Sequence, residues 1–348
     1  LYNMAFAFVF PTALDVEVFQ EAWNRIVDGS DILRMRLVGE TGGRVRPRVE
    51  AGSCRTTVLD FGQRPDPVRE FAAWCRERCS RPLPLDGDLV DSVLVALGDG
   101  GTGWYLNQHH LVTDAWSTQL LFRRVAAEYE TLLAGRAGEP WRGPDYNATA
   151  KALAARAVAA EQAASHWQDR RQHPGRRVPL YGRSPAAGHT VSTRLTLELD
   201  EQRSGALDRL ATQEGFRSPS AELSRFTLFA TLLVSWLHRI SGRDEVGFDA
   251  PVAGRPTPDA KEALGVFIEM FPFLAGVDRD ETFRSLGRKC LEETRRFLRF
   301  ARPATSSPSS SAASNIVLNY FPAAFGEFAG FPVGVEWVHP GHTDSVHD

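Results

Sequence analysis

The sequence predicts a mixed α/β protein of two lobes, residues 1–170 and 193–348, joined by a linker over 171–192. Two kinds of observation support two lobes, and a third places the join. A chain of 348 residues with 43% hydrophobic positions holds more apolar material than one core usually does. Strand-like and helix-like segments then alternate in a similar order in both halves. Between them, residues 169–193 combine prolines and glycines with Arg170, Arg171, Arg176, Arg177 and Arg183, a composition of irregular backbone.

The opening run Asn3-Met4-Ala5-Phe6-Ala7-Phe8-Val9-Phe10 is apolar and bounded by Pro11, which fits a buried strand. Asp15 can cap a helix whose core face is Val18, Phe19, Ala22, Trp23, Ile26 and Val27, with Gly29 as its stop signal. Residues 33–37 and 44–49 fit paired strands about Gly42-Gly43, and 67–79 fits a second helix. Strand character returns at 89–97 and at 104–107, and a long helix starts near Thr113 and ends at Gly135. An alanine-rich helix over 148–168 completes the first half. In the second half, 191–199 alternates like a strand, 201–214 and 220–240 are helical, and 244–249, 265–274 and 315–320 are strand-like. Residues 305–314 form a low-complexity Ser/Ala/Pro loop.

Lys and Arg number 40 against 43 Asp and Glu, a formal net charge of −3, so no basic field invites nucleic acid. No window approaches the roughly 18 apolar residues of a membrane span, and the N-terminus lacks the order of a signal peptide, so a soluble cytoplasmic protein with no membrane partner is expected. Cys54, Cys75, Cys79 and Cys290 form no disulfide framework and are expected to be buried thiols.

Chemistry concentrates at His109-His110-Leu111-Val112-Thr113-Asp114, where a strand turns into a helix. Neighbours in extended backbone face opposite sides, so one histidine can face a cavity while the other packs behind it. Histidine titrates near neutrality and can accept a proton from an attacking amine or hydroxyl. Asp114 can cap the helix or pair with an arginine. A purely structural histidine pair stays open, as does a metal site at His110 and Asp114, which lacks a local third ligand; His339, His342 and Asp344 fit a polar loop as well. A serine-hydrolase elbow, a phosphate-binding glycine loop with its lysine and a dinucleotide fingerprint are all absent from the sequence.

The segment from Gln108 through His109-His110 and Asp114-Ala115-Trp116-Ser117 resembles the HHxxxDG motif of nonribosomal peptide synthetase condensation domains, a family that includes chloramphenicol acetyltransferase in its wider circle. Asp31-Ile32-Leu33-Arg34-Met35-Arg36-Leu37 resembles an early HExLRTxF region without its usual His and Thr. Pro251-Val252-Ala253-Gly254-Arg255 and Gly265-Val266-Phe267-Ile268-Glu269-Met270 resemble the GR…GxFVNT block, and 315–320 a later strand. These landmarks follow the family's order over most of the chain.

The resemblance implies two chloramphenicol acetyltransferase-like lobes in a V-shaped pseudo-dimer with a tunnel between them. It implies that His110 is catalytic, that His109 supports it, and that Asp114 is structural through an ion pair with Arg34, the first choice, or Arg255, the second. Trp116, Ser117, Glu269 and Met270 are expected along the substrate tunnel. The implied activity is attack of an amine or hydroxyl on a carrier-bound acyl thioester, forming an amide or ester. The implied partners are a peptidyl or acyl carrier protein and either a small-molecule acceptor or a second carrier. No bound cofactor or metal is expected, the substrate arriving on phosphopantetheine. A CoA- or carrier-dependent acyltransferase, an epimerase on the same fold, and an inactive carrier-binding module are the alternatives. Arg170 to Arg183 could meet an acidic carrier or form a solvated linker. Ala115 replaces the motif's glycine, and Glu269-Met270 replaces its Asn-Thr. A QDYPFE-like region is not recognisable, and the family's last strands and latch are expected to be missing from the second lobe.

Overall fold

The computed structural model describes residues 2–39, 45–52, 54–136, 138–157, 161–181, 191–301, 314–321 and 325–342. Its first strand, β1 (Asn3–Phe10), explains how the first lobe is layered. Small and large side chains alternate along it, and successive residues of a strand face opposite sides of a sheet. Phe6, Phe8 and Phe10 therefore enter one core with Trp104 and Phe122, while Ala5 and Ala7 enter another with Phe71, Cys75 and Cys79. The chain continues through α1 (Val16–Asp28), the hairpin β2 (Met35–Gly39) and β3 (Val45–Val49), β4 (Thr57–Asp60), α2 (Pro67–Cys79), β5 (Val90–Ala96), β6 (Thr102–His109) and α3 (Ala115–Leu133). Helices α1 and α3 cover the phenylalanine side of the sheet and α2 covers the alanine side. Asp15 caps α1 as expected, its carboxylate accepting from the Val18 N–H at 3.0 Å.

After α4 (Tyr146–Ala157) come α5 (Glu161–Arg171), α6 (Glu201–Ala211), α7 (Ala221–Ser241), β7 (Glu245–Val252), α8 (Pro258–Glu262), β8 (Glu269–Gly276), α9 (Phe283–Phe300) and β9 (Gly334–Val338). Strands β7 and β8 pair antiparallel. Val246, Phe248 and Ala250 of one and Phe271, Phe273 and Ala275 of the other meet Val234 and Leu237 of α7 and Cys290 and Phe297 of α9. All four cysteines are buried, as expected. Among the described residues no helix is long and apolar enough to cross a membrane.

Several expectations change. The alanine-rich segment is helical as expected at α4 and α5, residues 158–160 lying outside the described residues, but α5, placed by sequence in the first half, sends Trp167 into the second core against Phe271 and Phe297. The arginine stretch is not a solvated linker where it is described. Arg170 pairs with Glu293, and Arg176 is buried with Asp249 at 2.7 Å; Arg183 lies outside the described residues. Residues 191–199 have strand alternation but form no strand: among the described residues only Val191 finds a bridge partner, His342, and Leu195 stays 93% exposed. Residues 315–320 contribute one bridge, Val317 to Asp249, rather than a strand. The strand expected over 265–274 begins only at Glu269, since the residues before it are held by the first lobe. Strand β9 has no counterpart in the sequence reading and returns from the end of the chain to pair with β1, completing the sheet order β4-β5-β6-β1-β9. The Gly42-Gly43 turn and the Ser-rich loop before Ser314 lie outside the described residues.

Candidate active site

The central strand β6 delivers the histidine pair. His109 is its last residue, opposite Asn3 of β1, and the Asn3 side chain fixes that end by donating to the Cys79 and Arg81 carbonyls, both at 2.7 Å. The His110 N–H then donates to the Tyr2 carbonyl at 2.7 Å and the Val112 N–H to the His109 carbonyl at 2.9 Å, so the chain turns at once. That turn brings both rings to one cavity instead of to opposite sides of a strand. The cavity has a volume of about 550 Å³. The first lobe lines it with Tyr2, Leu85, His109, His110 and Leu111, and the second with Pro251, Ile268, Met270, Val317 and Asn319.

The two histidines differ in environment. His109 is 7% exposed, and burial, followed by the neighbouring His110, holds its pKa below the ordinary histidine value. Its Nδ1 accepts from the Leu111 N–H at 3.2 Å, which places the proton of the neutral ring on Nε2. His110 is half-buried at the cavity wall. One ring is therefore fixed and neutral, and the other is open to a ligand.

Asp114 is 1% exposed and caps α3, its Oδ1 accepting from the Ser117 N–H at 2.8 Å. The same carboxylate receives Arg255 Nη2 at 3.1 Å on each oxygen and the Phe267 N–H at 2.9 Å on Oδ2. Its arginine is thus Arg255 and not Arg34, whose Nε is turned to the Ser30 carbonyl at 3.1 Å. Burial lowers the Arg255 pKa, and Asp114 counteracts this. The guanidinium also donates to the carbonyls of Ala260 and Ala263, both at 2.5 Å, and of Gly265 at 3.0 Å. A buried cation with so many acceptors remains charged and ties the second lobe to the first turn of α3.

Trp116 and Ser117 serve this junction and are not among the cavity-lining residues. Trp116 Nε1 donates to the Lys261 carbonyl at 3.0 Å; Ser117 Oγ donates to the Gly265 carbonyl at 2.6 Å and accepts from its N–H at 3.0 Å. Gly265 has φ +137°, and the Tyr146 ring occupies the space a Cβ would need, so only glycine fits. Met270 lines the main cavity, whereas Glu269 lines a smaller one of about 130 Å³ together with Ala150, Leu153 and Phe267. Residues not named from sequence as site candidates are Tyr2, Val317 and Asn319 on the cavity wall and Tyr146 behind Gly265; Val317 and Asn319 lie in the 315–320 stretch that resembles a later family strand, and Tyr2 heads the opening strand run. His339 and His342 do not line the cavity, and Asp344 lies outside the described residues. Among the described residues no group of three His, Cys, Asp or Glu side chains could hold a metal ion.

The family model for the condensation domain matches residues 1–304. The chain is 27% identical over 302 residues to a linear gramicidin synthase from Brevibacillus parabrevis, covering 82% of this chain and 4% of that protein. It is 23% identical over 293 residues to surfactin synthase subunit 1 of Bacillus subtilis (strain 168), covering 82% of this chain and 8% of that one. The chain therefore spans a small part of these curated relatives. Among solved structures, the first condensation domain of the calcium-dependent antibiotic synthetase, in complex with a substrate analogue, superposes with a TM-score of 0.80 at 21% identity, covering 98% of this chain and 81% of that one. A variant of the starter condensation domain of rhizomide synthetase, in complex with C8-CoA, gives 0.82 at 22% identity over 98% and 78%.

Proposed function

Because the chain belongs to the condensation-domain family of nonribosomal peptide synthetases, we propose that it joins an acyl group carried as a thioester to an amine acceptor, with His110 as the acting residue. The observation that carries this reading is the position of His110, half-buried at a mainly apolar cavity that both lobes line. A cavity walled from both sides suits two substrates that must meet.

In the proposed step the amine nitrogen attacks the thioester carbonyl carbon, the new C–N bond forms and the C–S bond breaks. The carrier's phosphopantetheine sulfur leaves, and the proton lost by the amine reaches it through His110 Nε2 or Nδ1. The thioester is already activated, so the protein must align the nucleophile, move one proton and stabilise the charge on the carbonyl oxygen. His109, fixed and neutral, sets the turn that presents His110. The Asp114–Arg255 pair holds the second wall against the first. With an alcohol acceptor the same step gives an ester. The partners of the reading are an acyl or peptidyl carrier protein and an acceptor that is free or carried on a second one.

His110→Ala, supplied with a loaded donor carrier and an amine acceptor, is expected to lower kcat/KM by about 10²- to 10⁴-fold with the melting temperature unchanged. Turnover equal to wild type would overturn the assignment.

A further inference from the structure

The second-lobe wall of the cavity is apolar except at Asn319, which stands with Pro251, Ile268, Met270 and Val317. Its carboxamide makes no hydrogen bond to a described residue, although the short segment that carries it is heavily tied. Asp249 N–H donates to the Ile316 carbonyl and Leu318 N–H to the Asp249 carbonyl, both at 2.9 Å. Ser314 N–H donates to Asp249 Oδ2 at 3.1 Å, and Ser314 Oγ donates to the Arg176 carbonyl at 2.8 Å. Asn315 exchanges two hydrogen bonds with the Val178 backbone, at 3.1 and 2.9 Å. Arg176 closes the system, its Nη2 on both Asp249 oxygens at 2.7 and 2.8 Å and its Nη1 on the Arg171 carbonyl at 2.8 Å.

Ile316 and Leu318 pack on the second core, so the alternation of extended backbone turns Val317 and Asn319 to the cavity. Backbone pairing alone could hold such a segment. A buried ion pair costs desolvation and makes a poor stabiliser, but it fixes direction. From this placement we infer that Asn319 is a specificity-determining residue that binds a secondary amide of the substrate, with Arg176 and Asp249 as the positioning pair that aims it. The inference deepens the condensation reading and rests on it for the identity of the cavity. A carboxamide offers one acceptor and two donors in a plane, the complement of an amide N–H and C=O. In an apolar cavity a few such groups set orientation. The amide can belong to the carrier arm beside the sulfur or to the acceptor.

Binding of unreactive probes, measured by titration calorimetry, separates these sources. S-butyl-N-acetylcysteamine carries the arm's amide, and butyl 2-methoxyethyl sulfide replaces it by an ether; alanine methylamide and alanine methyl ester form the acceptor pair. Asn319→Ala is expected to weaken the amide member of one pair by about 3- to 10-fold and its partner by less than twofold. The affected pair identifies the source. Equal loss within both pairs, no loss, or a wild-type protein that prefers no amide would overturn the inference. Asp249→Asn, or Arg176→Lys where that variant does not fold, is expected to shrink the amide preference by twofold or more; an unchanged preference in a folded variant would remove the positioning role. A wild-type protein that prefers the amide probe yet forms no product from a loaded carrier would count against condensation and leave the Asn319 contact standing.

Discussion

Two buried arginine–aspartate pairs lie behind the residues that line the cavity, outside its lining, and do different work. Asp114 and Arg255 are 141 residues apart and join the lobes, with the aspartate on a helix N-terminus and the arginine on the loop after β7. Asp249 and Arg176 are 73 residues apart and lie within the second lobe, where a strand residue meets a short helical turn. The side chains of all four are nearly inaccessible. Their chemistry and desolvation cost are alike, so the difference lies in what each pair orients. One sets lobe against lobe four residues from His110. The other sets the wall that His110 faces. A buried charge pair is informative less for the energy it adds than for the two elements it prevents from sliding.

That division can be broken by removing one carboxylate at a time. Asp114→Ala strands Arg255 and uncaps α3, so it is expected to cost about 3–5 kcal/mol for the pair and about 1 kcal/mol more for the cap, read from urea unfolding. Asp249→Ala strands Arg176 and the Ser314 N–H but removes no helix cap, and is expected at about 3–5 kcal/mol. If Asp249→Ala cost more than Asp114→Ala, the inter-lobe junction would not be the more demanding of the two. The double variant sharpens the same point: with no shared partner, the two losses should add within about 0.5 kcal/mol, and a coupling above about 1 kcal/mol would show one network instead of two.

The smallest effect concerns pH. His166, stacked on Phe300 at 4.1 Å between ring centroids, has its pKa pushed down to about 4 by burial and then by Arg170 and Arg296. Between the ordinary value of 6.5 and about 4, the unfolded chain binds a proton that the folded one refuses. Stability is therefore complete above pH 6.5 and declines as pH falls through that window. His166→Gln should flatten the decline in a pH series of unfolding curves. A slope unchanged by the substitution would assign it elsewhere, His109 being shifted in the same direction by its own burial.

What was legible in the sequence was local. Asp15, Gly29 and the phenylalanine run of β1 carry their roles in their spacing, and the histidine pair with Asp114 stands at the change from strand to helix. Both roles considered for Asp114, cap and ion pair, are filled together. The choice between Arg34 and Arg255 could not be read because nothing near either residue records which carbonyls will surround it. Residues 191–199 show the converse: alternation states which side chains would share a face, but a strand also needs a neighbour's backbone. Trp116 and Ser117 looked like tunnel residues because they follow the motif, yet the helix they begin turns them to the 261–265 loop.

Strand β9 carries one further consequence. It pairs with β1 through Ala5–Val338 to Val9–Gly334, so the first sheet acquires its outer strand only when residues more than 300 positions downstream have arrived. While the chain is being made, β1 presents an open edge, with Phe6 uncovered by Phe325 and Trp337. Closing a loop of that length slows folding more than it weakens the finished structure. Refolding from denaturant should therefore show a late phase in which Trp337 becomes ordered after β6 and α3.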